Sequence, residues 1–153
     1  RDFYEQKAVE YMQKLGFENL KAVWYNPTDG AAVINLAPET DGIIYYTDLV
    51  KVKVGLPDGE INGFECSGYC EKNTFRTLSP AISESEARAK VSKKLTIKNV
   101  RLCVVPIGEK EKFCYEFAAE YNGLDYFVYI DAESGGEVNI LRVVDNKQGS
   151  MTM

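Results

Sequence analysis

Apolar residues recur along this chain first at helical spacing and then in alternation, and the order is repeated. Tyr4, Ala8, Tyr11, Met12 and Leu15 form one stripe of a helix, and Gly16 is placed to end it. Near the middle of the chain, Ser83-Glu84-Ser85-Glu86 has the S-x-x-E form of a capping box. Ala87, Val91 and Leu95 follow at spacings of four as the stripe of a second helix. Strands follow each helix. "LKAVWY", "AAVINL", "LVKVKVGL" and "EINGFE" supply the first set. In the second set, Val100, Leu102 and Val104 alternate with Arg101, Cys103 and Val105. Beyond the "PIGEKE" turn, Phe113, Tyr115, Phe117 and Ala119 alternate with Cys114, Glu116 and Ala118. "NGLDYFVYI" and "GEVNILRVV" complete the set, joined by the turn "DAESGG". A single antiparallel register places Cys103 opposite Cys114 and Arg101 opposite Glu116, a thiol pair beside a charge pair on the outer face of the hairpin.

The two halves align residue by residue. Lys14, Leu15, Asn19 and Lys21 match Lys94, Leu95, Asn99 and Arg101; Asp41-Gly42 matches Asn122-Gly123; and Glu60-Ile61-Asn62 matches Glu137-Val138-Asn139. The expected fold is therefore α+β, with two tandem repeats, each one helix packed on a four-stranded antiparallel sheet. The first unit spans residues 1–70 and the second 83–153. The polar stretch "EKNTFRTLSPAI", residues 71–82, reads as a linker. Units of this size have marginal cores, so the two are expected to pack on each other. Outward-pointing Phe127 and Tyr129 suit that contact or a partner's surface, as do Tyr45 and Tyr46 after the Asp41-Gly42 turn, since interfaces favour tyrosine.

Composition narrows the function classes. The 153 residues carry 18 basic and 23 acidic side chains, a formal net charge of −5, with no long basic run to neutralise phosphates, so nucleic acid is not an expected partner. No apolar stretch is long enough to span a bilayer, and the amphipathic "RDFYEQKAVEYMQKL" is not signal-like. The chain begins at Arg1 rather than an initiator Met, which suits a fragment or processed form. Histidine is absent, which removes the commonest general base and metal ligand together.

The unit of helix, hairpin and aromatic strand ending in "FVYIDAESGGEV" resembles the PepSY domain, whose hallmark is such a strand running into a D-x-x-[ST]-G turn. Tyr129, Ile130, Asp131, Ser134 and Gly135 occupy that pattern, and "VKVGLPDGEINGFE" in the first half fits it more loosely. The tandem order, "DGIIYYTDLVKVKVGLPDGEINGFECSGY", "AISESEARAKV" and the stretch from "KFCYEF" to the closing "GSMTM" are similar to the C-terminal half of YpeB-type spore germination proteins. The resemblance implies a non-enzymatic protein without cofactor. It implies placement at the spore inner membrane and cortex, on the extracytoplasmic side, with attachment through an N-terminal segment that this chain lacks. The implied partner is a cortex-lytic hydrolase of the SleB type, which the family protects, localises and restrains. A rival expectation is a propeptide-like inhibitor of a secreted peptidase, laying an exposed strand edge in the protease cleft. Recognition of peptidoglycan by exposed Tyr and Trp24 is less favoured, because Trp24 sits in a strand pattern that suggests burial. A homodimer is compatible with exposed strand edges.

The resemblance says nothing about the four cysteines. Cys66-Ser67-Gly68-Tyr69-Cys70 offers two ligands where a structural zinc needs four, and it is not a C-x-x-C redox motif. Cys103 with Cys114 is the expected pair if a disulfide forms, because directly opposed antiparallel residues lie within disulfide reach. Asp131, Glu133 and Glu137 lack the spacing of a calcium loop, and Asp131 is expected to accept hydrogen bonds from turn amides. No carboxylate pair is marked as catalytic, so no catalytic or metal-binding residue is assigned.

Overall fold

The computed structural model describes residues 1–73, 76–146 and 149–152, with side chains for 1–71, 73 and 76–141. Thr74 and Phe75 of the expected linker and the final Met153 lie outside the described residues. The class is α+β, with antiparallel strand pairing and few helices. The chain divides into two compact units. One holds Arg1–Asp41, Tyr45–Thr74 and Asp145–Met151; the other holds Gly42–Ile44, Phe75–Val144 and Thr152–Met153.

In the first unit, helix α1 (Asp2–Lys14) carries Asp2 and Glu5 in its first turn and Lys14 in its last, each at the end of the helix dipole that favours its sign. It closes in a Schellman motif: the Phe17 amide bonds the Met12 carbonyl and the Gly16 amide the Gln13 carbonyl, both at 3.0 Å. Strands β1 (Leu20–Thr28), β2 (Ala31–Thr40), β4 (Val50–Gly55) and β5 (Ile61–Glu65) pair antiparallel in the order β1-β2-β4-β5. The short strand β3 (Ile43–Tyr45) intervenes between β2 and β4 in sequence. Along β4, Val50, Val52 and Val54 point into the core while Lys51 and Lys53 face solvent, the period of two that the sequence shows. Ala8 and Met12 of α1 pack on these valines and on Ala32, Ile34 and Leu36 of β2. The helix stripe is shorter than expected, because Leu15 occupies the C-cap, where the chain turns away, and is 47% exposed.

The short helix α2 (Ser67–Lys72) follows β5, and its end runs into the stretch expected as linker. Gly68 lets it approach closely: a Cβ there would stand 3.0 Å from the Leu49 carbonyl oxygen. The Tyr69 ring meets Phe17 edge-on with centroids 5.1 Å apart.

In the second unit, helix α3 (Glu84–Arg88) opens with the expected capping box, the Glu86 amide donating to Ser83 Oγ at 3.1 Å. It ends seven residues before Leu95. The Lys90 and Val91 amides bond carbonyls three residues back, and Ser92 Oγ accepts the Lys94 amide at 3.3 Å, so a tight turn and a serine side chain compete with continued helix. Ala87 and Val91 are still buried, one from the helix and one from the turn.

Strands β6 (Thr96–Ile107), β7 (Lys110–Tyr121), β8 (Leu124–Asp131) and β9 (Glu137–Asn146) pair in sequence as an antiparallel meander. Between β7 and β8, Asn122 and Gly123 both have positive φ, 51° and 74°, as a two-residue type I′ hairpin loop requires. Helix α3 covers the face bearing Tyr115 and Phe117, whose ring lies under the Arg88 guanidinium at 5.9 Å.

Residues 76–82 do not hang free as a linker. Arg76 makes a two-pronged pair with Glu111 at 2.8 and 3.0 Å, the Ala81 and Ile82 amides donate to the Ala132 carbonyl, and Tyr115 Oη donates to the Ile82 carbonyl at 2.7 Å. The segment is part of the second unit's covering layer.

Two substitutions test the revised helix stripe. Met12→Ala is expected to cost about 2–5 kcal/mol by leaving a cavity under α1, and Leu15→Ala about 0.5 kcal/mol or less. Urea melts of the two variants read the contrast, and equal losses would contradict this packing.

Candidate functional site

The turn after β8 is held by several backbone and side-chain hydrogen bonds. The Asp131 amide donates to the Gly136 carbonyl at 2.8 Å and the Gly135 amide returns to the Asp131 carbonyl at 2.9 Å, closing the turn with Gly135 at φ 76°. Asp131 Oδ1 accepts the Glu133 and Ser134 amides at 2.8 and 3.2 Å, and Ser134 Oγ accepts the Gly136 amide at 3.2 Å. Each residue of the D-x-x-S-G pattern thus has a backbone task. Lys112 on β7 reaches Asp131 Oδ2 at 3.2 Å. Burial works against the Asp131 charge, but the two turn amides and the Lys112 ammonium outweigh it and hold the carboxyl below its ordinary value.

Ala132 ties the turn inward, donating to the Phe113 carbonyl and accepting the amides of Ala81 and Ile82. A shallow concavity lined by Ile107, Lys112, Asp131, Ser134, Glu137 and Val138 opens beside it. Glu133 does not join Asp131 and Glu137 in a cation site: among the described residues no group of three or more His, Cys, Asp or Glu could hold a metal ion. In the first unit the corresponding turn is tighter. The Gly55 amide donates to the Glu60 carbonyl at 2.7 Å, Asp58 is exposed, and Tyr4 Oη holds the Pro57 carbonyl at 3.0 Å.

A polar row crosses the sheet next to this turn. Register sets Arg101 opposite Glu116 and Glu116 opposite Tyr129, as it sets Cys103 opposite Cys114 and Cys114 opposite Asp131. The Arg101 guanidinium donates to Glu116 Oε1, and Tyr129 Oη donates to Oε2 at 2.6 Å. The Arg101–Glu116 pair lies on the face away from α3, as alternation suggested, but that face is not open to solvent there: Glu116 is only 2% exposed and Arg101 is half-buried. A carboxylate this deeply placed is tolerable only because cation and hydroxyl replace lost water.

The two cysteines beside it are also fully buried and are free thiols. Burial, and then the negative charge of Asp131, push the Cys114 thiol up to about 12; burial, and then Glu116, push Cys103 well above the usual range.

The residues expected on a partner surface fall mostly inside. Tyr45, Tyr46 and Tyr129 are buried, with Tyr46 stacked on Trp24 at 5.4 Å, and Phe127 is half-buried. Alternation assigned Tyr129 a face, but it could not tell a covered face from a wet one. The link between Tyr129 and Glu116 did have a sequence signal: a two-residue Asn122-Gly123 loop pairs Tyr121 with Leu124, and counting back along both strands brings Glu116 to Tyr129. Cys66 and Cys70, four residues apart around the start of α2, have their sulfurs 3.1 Å apart.

With this geometry established, comparison with known proteins places the chain among its relatives. Residues 2–79 match the family model described as YpeB sporulation, PepSY1 and PepSY2 domains. Residues 81–140 match the peptidase propeptide and YPEB domain. The chain is 30% identical over 145 residues to the sporulation protein YpeB of Oceanobacillus iheyensis, covering 94% of this chain and 32% of that protein. It is 31% identical over 137 residues to that of Halalkalibacterium halodurans, covering 88% and 30%. It thus spans about a third of the length of these curated relatives. The solved Bacillus megaterium YpeB C-terminal domain superposes with a TM-score of 0.85 at 26% identity, over 94% of this chain and 65% of that one.

The Asp131 turn yields a pH test. A carboxyl whose folded pKa is depressed contributes stability that is full above its unfolded pKa and is lost as pH falls through the folded value. Asp131→Asn keeps an oxygen for the turn amides but loses the pairing with Lys112, so it should lose part of the wild-type fall in stability below the ordinary aspartate pKa. Separately, Tyr129→Phe should cost about 1.5–3 kcal/mol, since its hydroxyl bonds a charged group. Denaturant midpoints across acid pH and at neutral pH read both.

Proposed function

This chain belongs to the YpeB sporulation family, and from that membership we infer that it is a non-catalytic binding module that holds and restrains a cortex-lytic cell-wall hydrolase of the SleB type. The observation that carries the reading is the pair of consecutive family matches, residues 2–79 and 81–140, to domains described by sporulation and by peptidase propeptides. A sporulation role follows from relatives named for it. The pairing β1-β2-β4-β5 under α1 and the meander β6–β9 under α3 support reading the chain as two PepSY-like units, each a helix on four antiparallel strands.

In this reading the module works by occlusion or stabilisation through a sheet face or edge. The hydrogen-bonded turn at Asp131 keeps β8 and β9 in fixed register for that contact. The working site is the extracytoplasmic side of the spore inner membrane and the cortex. No helix among the described residues is long and apolar enough to cross a membrane.

A second reading is favoured by the propeptide description attached to residues 81–140: inhibition of a secreted peptidase by strand addition at an exposed edge.

Mixing the chain with a cortex-lytic hydrolase of the SleB type, and separately with a secreted peptidase, decides between them. A stoichiometric complex with lost glycan cleavage is the expected result. Intact hydrolase activity at saturating module rules out inhibition, and loss of peptidase activity alone transfers the assignment to the second reading.

A further inference from the structure

We propose that Cys66 and Cys70 form a thiol–disulfide exchange site, oxidised to an intramolecular disulfide by disulfide-bearing oxidants while Cys103 and Cys114 stay reduced.

The pair is pre-arranged by the first unit. Cys66 is the N-cap of α2 and Cys70 lies one turn on, with the Cys70 amide bonded to the Cys66 carbonyl at 2.8 Å. Residues four apart on a helical turn share a face, with Cβ atoms about 5–6 Å apart, whereas a disulfide draws its Cβ atoms to about 3.5–4.5 Å, so the turn tightens by about 1 Å when the bond closes. The sulfurs are 3.1 Å apart, so the two thiols already meet across the turn. The turn that holds them is anchored on both sides. Gly68 sits against the Leu49 backbone, the Tyr69 amide donates to the Leu49 carbonyl at 3.3 Å, and the Tyr69 ring packs on Phe17.

Access separates the two cysteine pairs. Cys70 is exposed and Cys66 half-buried, whereas Cys103 and Cys114 are fully buried. The contact with Cys70, with burial and the neighbouring negative groups, pushes the Cys66 thiol up, and the exposed Cys70 is the sulfur open to the oxidant.

The exchange balances in two steps. The Cys70 thiolate attacks one sulfur of the oxidant disulfide, forming a mixed disulfide and releasing one oxidant thiol. Cys66 then loses its proton and attacks Cys70 Sγ, breaking the mixed disulfide and releasing the second thiol. Two electrons and two protons pass from the protein dithiol to the oxidant, which leaves as two thiols. The product ties the end of β5 to the last turn of the first unit, ahead of the segment that leads to the second.

The experiment uses the whole folded chain with oxidised glutathione, followed by alkylation of remaining thiols, digestion and mass spectrometry. The expected result is a Cys66–Cys70 disulfide formed about tenfold or more faster than in the urea-unfolded chain, with Cys103 and Cys114 alkylated only after unfolding. Cys66→Ser should instead accumulate glutathione on Cys70, since no resolving thiol remains. The proposal is overturned if Cys66 and Cys70 remain alkylatable after oxidation, if Cys103–Cys114 bonds first, or if folding gives no rate advantage.

Discussion

The register of β7 against its two neighbours governs the second unit, because a shift of one residue would turn every side chain of that strand to the opposite face. With Glu116 opposite both Arg101 and Tyr129, its carboxylate finds a cation on one side and a hydroxyl on the other. Slipped by one, Glu116 would enter the apolar layer under α3 that Tyr115 and Phe117 now fill, where a charge costs several kcal/mol with nothing to offset it. The same pairing stations Cys114 between Cys103 and Asp131, and it delivers Asp131 to the turn at the end of β8. Packing alone would tolerate other hydrophobic alignments of these strands. The buried polar row does not, and it therefore acts as the register pin of the sheet.

The two units solve one problem, covering an apolar sheet face, by different means. In the first, a helix of 13 residues presents Ala8 and Met12 to β2 and β4. In the second, the helix has only five residues, and the segment before it takes over the rest of the work through Arg76, Ala81 and Ile82. The D-x-x-S-G turn gains a double role from this. It reverses the chain between β8 and β9, and through Ala132 it anchors the strap that approaches α3. A turn fastened at this many points presents a rigid surface, which suits a module whose proposed task is to hold a partner and not to transform it.

Much of the framework was legible in the chain. Alternation marked the strands of both units, the capping box marked the start of α3, and the opposed pairs Cys103–Cys114 and Arg101–Glu116 followed from a single assumed register. The motif residues Asp131, Ser134 and Gly135 were recognisable because their roles are local, each bonding backbone within a few residues. What misled was always a question of distant neighbours. Leu15 fits the helix stripe but is left at a C-cap, Val91 and Leu95 continue a helical spacing that Ser92 interrupts, and Tyr45, Tyr46 and Tyr129 look like surface tyrosines but are buried.

The sequence by itself determined the periodicities, the turns and therefore the pairing partners, since these depend on backbone geometry and nearest neighbours along the chain. Only the tertiary structure decided which sheet faces are covered, and with that the burial of Glu116, the protection of Cys103 and Cys114 and the exposure of Cys70. Alternation separates two faces of a strand but carries no information on what is laid over them. That depends on segments far away in the chain, whose approach is set by the summed packing of the whole unit.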